Sequence, residues 1–141
     1  MTAFKFLSTI TLLALVVQAG AQQVEKNFAK SFNVEGKSAV ILDLPGEVDL
    51  RFWDSNILRV EMSISVPGNN ANLINQLAQA GRYDAKSTST PDAMTIHMPN
   101  MNRQVRIKGE ELKETLTFTV YAPRFVKVTG AGVVLADAKK M

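Results

Sequence analysis

Leu58-Arg59-Val60-Glu61-Met62-Ser63-Ile64-Ser65-Val66 decides the fold class. Apolar and polar residues alternate without a break, and the run stops at Pro67-Gly68. Side chains of a strand point alternately to opposite faces, so this stretch predicts a strand with one face buried and one in water. A helix would place the apolar residues three and four apart instead.

The same period of two extends in both directions. Val48, Leu50 and Phe52 alternate with Glu47, Asp49, Arg51 and Trp53. Met94, Ile96 and Met98 alternate with Thr95 and His97, and Leu116, Phe118 and Val120 with Thr115, Thr117, Thr119 and Tyr121 as far as Pro123. Shorter strands are expected over residues 31–34, 39–44, 101–108, 126–128 and 133–135. Turns are expected at Glu35-Gly36, Pro45-Gly46, Gly109 and Gly130-Ala131-Gly132. One apolar and one polar face per strand predicts antiparallel pairing rather than a parallel sheet covered on both sides. The expected fold is mainly β: an antiparallel β-sandwich or a short solenoid-like sheet stack, with one short helix.

That helix is expected over residues 69–81. Leu73, Ile74, Leu77 and Ala78 share one helical stripe, Asn69 or Asn70 can cap its start, and Gly81 can stop it. It would cross between two sheets. Residues 82–92, rich in Ser and Thr, read as a strand or a mobile connection, and residues 22–29 and 137–141 as frayed ends.

The N-terminus speaks to compartment. Lys5 supplies a positive charge, residues 6–17 are apolar apart from Ser8, Thr9 and Thr11, and Ala19-Gly20-Ala21 offers the small residues of a cleavage site. This layout predicts a signal peptide over residues 1–21, with cleavage after Ala21. The apolar run is too short for a bilayer core that needs about 20 residues, so no transmembrane segment is expected after cleavage. Removing residues 1–21 from the 141 leaves 120, enough for a single β-rich domain over residues 22–141. The chain has no cysteine, so neither disulfides nor a lipid on a new N-terminal cysteine is available. It also lacks an Asn-x-Ser/Thr sequon. An exported protein of a bacterial envelope, Gram-negative, periplasmic or at the cell surface, is the expectation.

Composition narrows the partners. The formal charge of +3 falls by one with the loss of Lys5. The acids Glu47, Asp49, Asp54, Glu61, Glu110, Glu111 and Glu114 are interspersed with bases. Nucleic-acid binding calls for a concentrated basic face, so no nucleic-acid partner is expected.

Reactive chemistry is sparse. A thiol nucleophile requires cysteine, and the Gly-x-Ser-x-Gly elbow, the phosphate loop and Gly-x-Gly-x-x-Gly do not occur. His97 is the only histidine and sits on the polar phase of its strand, so a zinc site is not expected. EF-hand spacing is missing too. No catalytic residue, cofactor or metal is therefore assigned. A hydrolase built on two carboxylates is the remaining enzymatic alternative. Candidate binding residues are Trp53 and Tyr121, aromatic rings on the polar phase of their strands, and Arg106 and Lys108, which could hold an anion. The partner is expected to be an envelope or surface protein or glycan, and the alternative reading is a small-ligand or polysaccharide-binding module resting on Trp53 and Tyr121.

Phe32 to Gly36, Val40 to Gly46, Glu47 to Asp54 and the strand from Leu58 together carry a family resemblance. They resemble the opening of the adhesin-like β-solenoid domains of bacterial envelope proteins, the DUF4097-like and DUF2807-like families. There a strand leads to Gly-x-Val-x-Val, a Trp-Asp turn and a long alternating strand. Leu116 to Pro123 followed by Val126 to Val134 is similar to the families' step into a first solenoid rung. The likeness spans roughly residues 31–135. It implies an envelope location and a non-enzymatic, adhesin-like or structural role, and it defines no catalytic residue. The families continue through many Gly-rich rungs, whereas this chain stops where a second would begin and shows no repeat of that period. Three rungs are about the minimum for a stable stack, so a sandwich-like module equivalent to the families' opening is expected.

Overall fold

In a computed structural model the protein is described over residues 23–68 and 71–135. The expected signal peptide, Asn69, Asn70 and residues 137–141 lie outside these. Four strands come first: β1 (Gln23–Asn33), β2 (Ala39–Asp43), β3 (Glu47–Trp53) and β4 (Ile57–Pro67). After α1 (Ala71–Gln79) come β5 (Lys86–Ser89), β6 (Ala93–His97) and a 3-10 turn at Pro99–Asn102. The short pair β7 (Arg106–Ile107) and β8 (Glu110–Glu111) precedes β9 (Thr115–Pro123), β10 (Lys127–Thr129) and β11 (Val133–Leu135).

The mainly β reading with one short helix holds. The strands form a five-stranded sheet ordered β1-β4-β9-β3-β11, a four-stranded sheet ordered β10-β2-β6-β5 and the separate β7–β8 hairpin. Strand direction departs from expectation. Antiparallel pairing is confined to β1–β4, β4–β9, β5–β6 and β7–β8. The pairs β10–β2, β2–β6, β11–β3 and β3–β9 are parallel. Both sheets are mixed.

These parallel runs arise from stacking. The chain passes from β2 to β3 through Leu44-Pro45-Gly46, from β10 to β11 through Gly130-Ala131-Gly132, and from β6 to β9 through the longer segment 98–114. Each passage leads from the four-stranded sheet into the five-stranded one. The three coils lie in register, with Val128 beside Val40 beside Met94 in one sheet and Val133 beside Val48 beside Phe118 in the other. A solenoid-like stack is thus the arrangement found, with three coils where a single rung was expected. A coil of this kind turns one side of each strand inward without crossover helices, so parallel strands keep the alternation seen in antiparallel ones. The turns must pass close to their neighbours. A Cβ on Gly46 would lie 2.4 Å from the Leu116 carbonyl oxygen, and one on Gly130 2.3 Å from that of Leu42.

The inner faces join in one core. Val48, Leu50, Leu58, Val60, Ile64 and Val120 of the larger sheet are buried together with Val40, Leu42, Met94 and Ile96 of the smaller. Burial of each such side chain stabilises the fold by about 1.5–3 kcal/mol. The helix is described from Ala71, directly after the expected caps, and adds the buried Ile74. It ends as read: Gly81 has φ +86, and the amides of Gly81 and Arg82 donate to the carbonyls of Ala78 and Leu77. This is the Schellman arrangement that satisfies the last carbonyls.

Two further expectations need correction. Residues 22–29 are not a frayed end, because from Gln23 onward they form β1, paired along its whole length with β4. Lys26 and Lys30 fall on the inward phase of this strand and hide its alternation. Charged residues turned inward are one way in which edge strands resist pairing with other chains. The strand expected over 101–108 is mostly absent, with only Arg106–Ile107 extended and paired. Residues 82–92 supply β5, a wholly exposed edge strand.

Candidate functional site

The outward faces of β1, β4, β9 and β3 form a flat polar surface whose composition follows from the strand register. Ser31, Arg59, Tyr121 and Arg51 stand in one row across it, and Ala29, Glu61, Thr119 and Asp49 in the next. Asn27, Ser63, Thr117 and Glu47 make a third. The small side chain of Ala29 leaves a depression between Asn27 and Arg59, walled also by Glu61, Ser63 and Thr119. Polar groups on this face hold one another: the Ser63 hydroxyl donates to Glu25 Oε1 at 2.6 Å, and Arg59 Nε donates to Glu61 Oε1 at 3.0 Å.

Trp53 and Tyr121 meet at one end of this surface. Parallel pairing of β3 with β9 sets Trp53 beside Pro123, one outward position along from Tyr121. The ring centroids lie 5.2 Å apart at 35°, an offset geometry favourable for aromatic pairs. The indole Nε1–H donates to the Ile57 carbonyl at 2.8 Å, which fixes the ring at the β3–β4 turn. Both side chains are half-buried. The Asp54–Arg124 ion pair next to them is open to water.

Arg106 and Lys108 do not join them. Arg106 stands opposite Glu111, and Lys108 occupies the left-handed turn with φ 53, followed by Gly109. The hairpin lies by Pro67, where Lys108, Glu110 and Lys113 line a shallow depression with it. Arg59, beside Tyr121, is eight residues back along β4, roughly 27 Å at the rise of a strand. The four candidates therefore form two separate features.

His97 is half-buried on the outer side of the four-stranded sheet, and its Nε2 lies 3.1 Å from the Thr88 hydroxyl. Among the described residues no three of His, Cys, Asp and Glu cluster as metal ligands would. No described helix is long and apolar enough to cross a membrane.

One cluster escaped sequence reasoning. Arg82 donates through Nε and Nη2 to the Glu114 carboxylate, and the Tyr83 hydroxyl donates to Glu114 Oε2 at 2.6 Å. Arg82 Nη1 also reaches the Arg103 carbonyl. The hydrogen bond to Glu114 raises the Arg82 pKa against the opposing effect of burial. Burial first, then the bond to Glu114, pushes the Tyr83 phenol well above its ordinary range. The cluster clips the segment after α1 to the segment before β9. No spacing in the sequence announces it, because its members belong to no common periodic run.

No family model matches the chain, and no curated protein does. Among solved structures it is similar to a "putative cell adhesion protein" from Clostridium sporogenes, at 9% identity and a TM-score of 0.44, over 76% of this chain and 46% of that one. The chain thus spans less than half the length of that protein.

Proposed function

We propose that this protein is an exported, non-catalytic module of the bacterial envelope, adhesin-like or structural, that engages a surface partner through the outer face of its five-stranded sheet. The observation that carries the proposal is the Trp53–Tyr121 pair at the end of three rows of hydroxyl, amide and charged side chains. Aromatic anchors beside satisfied polar groups are the usual makeup of binding surfaces. The likeness of residues 31–135 to the DUF4097-like and DUF2807-like domains supports the same role, and the leader-like N-terminus supports the location. A polysaccharide is the favoured partner class, because half-buried rings next to rows of hydrogen-bonding groups suit a sugar chain.

The full chain expressed with its leader is expected in the exported fraction with Gln22 as its new N-terminus. On a glycan array and in pull-downs from envelope extract, Trp53→Ala with Tyr121→Ala should weaken binding at least about tenfold, the loss of one good anchor. Arg106→Ala with Lys108→Ala, at the far hairpin, should leave it unchanged. Equal effects of the two double variants, or no retained partner of any kind, would refute the proposal.

A further inference from the structure

A second feature lies on the inner side of β1 and β4, and shares Phe28, Ala29 and Met62 with the outer-face depression. Between β1, β4 and β9 on one side and the segments that follow α1 and β6 on the other is a cavity of about 180 Å³. Phe28, Met62, Phe118, Tyr83, Ala85 and Met98 form most of its wall. The Phe28 and Tyr83 rings stack across one side at 6.1 Å.

The polar groups around it are engaged. The Tyr83 hydroxyl is held by Glu114, and the Ala85 carbonyl accepts from Lys30 Nζ at 2.6 Å. Among the described residues no buried side-chain nitrogen or oxygen lacks a partner. Away from Lys30 and Asp84 the wall is mostly apolar and offers water few bonds, and a buried water needs two to four polar partners. Apolar cavities of about 150 Å³ stay dry and accept a benzene-sized molecule. Met62 and Met98 are flexible enough to fit their thioethers around such an occupant.

The rim adds a charge. Lys30 is on the inward phase of β1, opposite Val60, and its ammonium stands at the opening. The Ala85 carbonyl takes one of its three protons, which leaves two for an anion. Asp84, also on the rim, is placed towards Gly81 and Asn100 and would repel an anion on that side. An anionic group therefore belongs at the Lys30 end.

We infer that this cavity binds a small anionic amphiphile, an aryl or short acyl carboxylate, with its apolar part against Phe28, Met62 and Met98 and its carboxylate on Lys30. The site does not include Trp53 or Tyr121.

Phenylacetate, hexanoate and the uncharged benzyl alcohol are the probes, titrated into the full protein labelled at its methionine methyls. Both carboxylates should shift the Met62 and Met98 signals saturably and leave Met101 in place. Benzyl alcohol should bind at least about tenfold more weakly, the loss of one charge-assisted hydrogen bond. Ala78→Leu, which fills the cavity from α1, should abolish the shifts without lowering the melting temperature. Lys30→Met should bring the carboxylates down to the affinity of the alcohol. The inference is overturned if no probe moves Met62 and Met98, or if Lys30→Met binds carboxylate as the wild type does. Undiminished binding by a folded Ala78→Leu variant would overturn it as well.

Discussion

Arg82 and Glu114 lie side by side, the guanidinium donating from Nε and Nη2 to one carboxylate, with only 10% and 5% of their side chains exposed. They are 32 residues apart, and their pairing fastens the long excursion between β6 and β9 to the end of α1. Tyr83 closes the group by donating to the same carboxylate.

Removing one partner of this pair leaves the other buried and uncompensated, at a cost of about 3–5 kcal/mol. Arg82→Met and Glu114→Leu should each destabilise the fold by an amount of that order in urea unfolding. The double variant Arg82→Met/Glu114→Leu should lose clearly less than the sum of its singles. Additive losses would show that the two groups do not act together.

Tyr83 makes stability depend on pH on the alkaline side. Its phenol titrates above the ordinary value of 10.0 in the folded protein, chiefly through burial. As pH rises past about 10 the unfolded chain gives up this proton while the folded chain keeps it, so the unfolded state binds fewer protons and stability falls. Below that range the contribution is fully present and flat. Tyr83→Phe should be less stable at pH 8 by about 1 kcal/mol, for the lost hydrogen bond. Its stability should also decline less steeply than that of the wild type between pH 9.5 and 11, as read by urea midpoints across the series.

Gly46 lies where the first coil turns against the backbone of β9. A methyl group there would come within 2.4 Å of the Leu116 carbonyl oxygen, and backbone cannot move aside as a side-chain tip can. Gly46→Ala should cost about 1–3 kcal/mol and lower the melting temperature. Gly36→Ala, with nothing within 4 Å of the added carbon but φ +79, separates conformational strain from collision and should cost about 1 kcal/mol.

Ile64 is fully buried on β4, between β1 and β9. Ile64→Ala should destabilise by about 2–5 kcal/mol, the transfer term plus that of the cavity left behind. Ser63→Ala, on the opposite face of the same strand, should change stability by no more than about 1 kcal/mol, since it removes only the bond to Glu25. Comparable losses at the two positions would contradict the assignment of inner and outer faces.

Legibility followed the range of the interaction. The strands β3, β4, β6 and β9 were readable because a strand announces its faces within a few residues. The stop of α1 was readable because Gly81 acts on its own helix. The part of β1 before Ser31 was missed because Lys26 and Lys30 occupy apolar-phase positions, and only pairing with β4 makes that segment a strand. Trp53 and Tyr121 could each be picked as a ring on a polar face, but not as neighbours. Arg82, Tyr83 and Glu114 carry no local pattern at all.

Alone, the amino-acid order determined which side of each long strand faces inward, where the turns and the helix stop fall, and that the domain is built mainly of sheet. Only the tertiary structure decided the strand order, the mixture of parallel and antiparallel neighbours, the stacking of three coils and the meeting of distant side chains. The physical reason is that a period of two reports the direction of a side chain relative to its own backbone. It carries no information about which strand lies alongside or which way that strand runs, and those are settled by hydrogen bonds and packing between residues far apart in the chain.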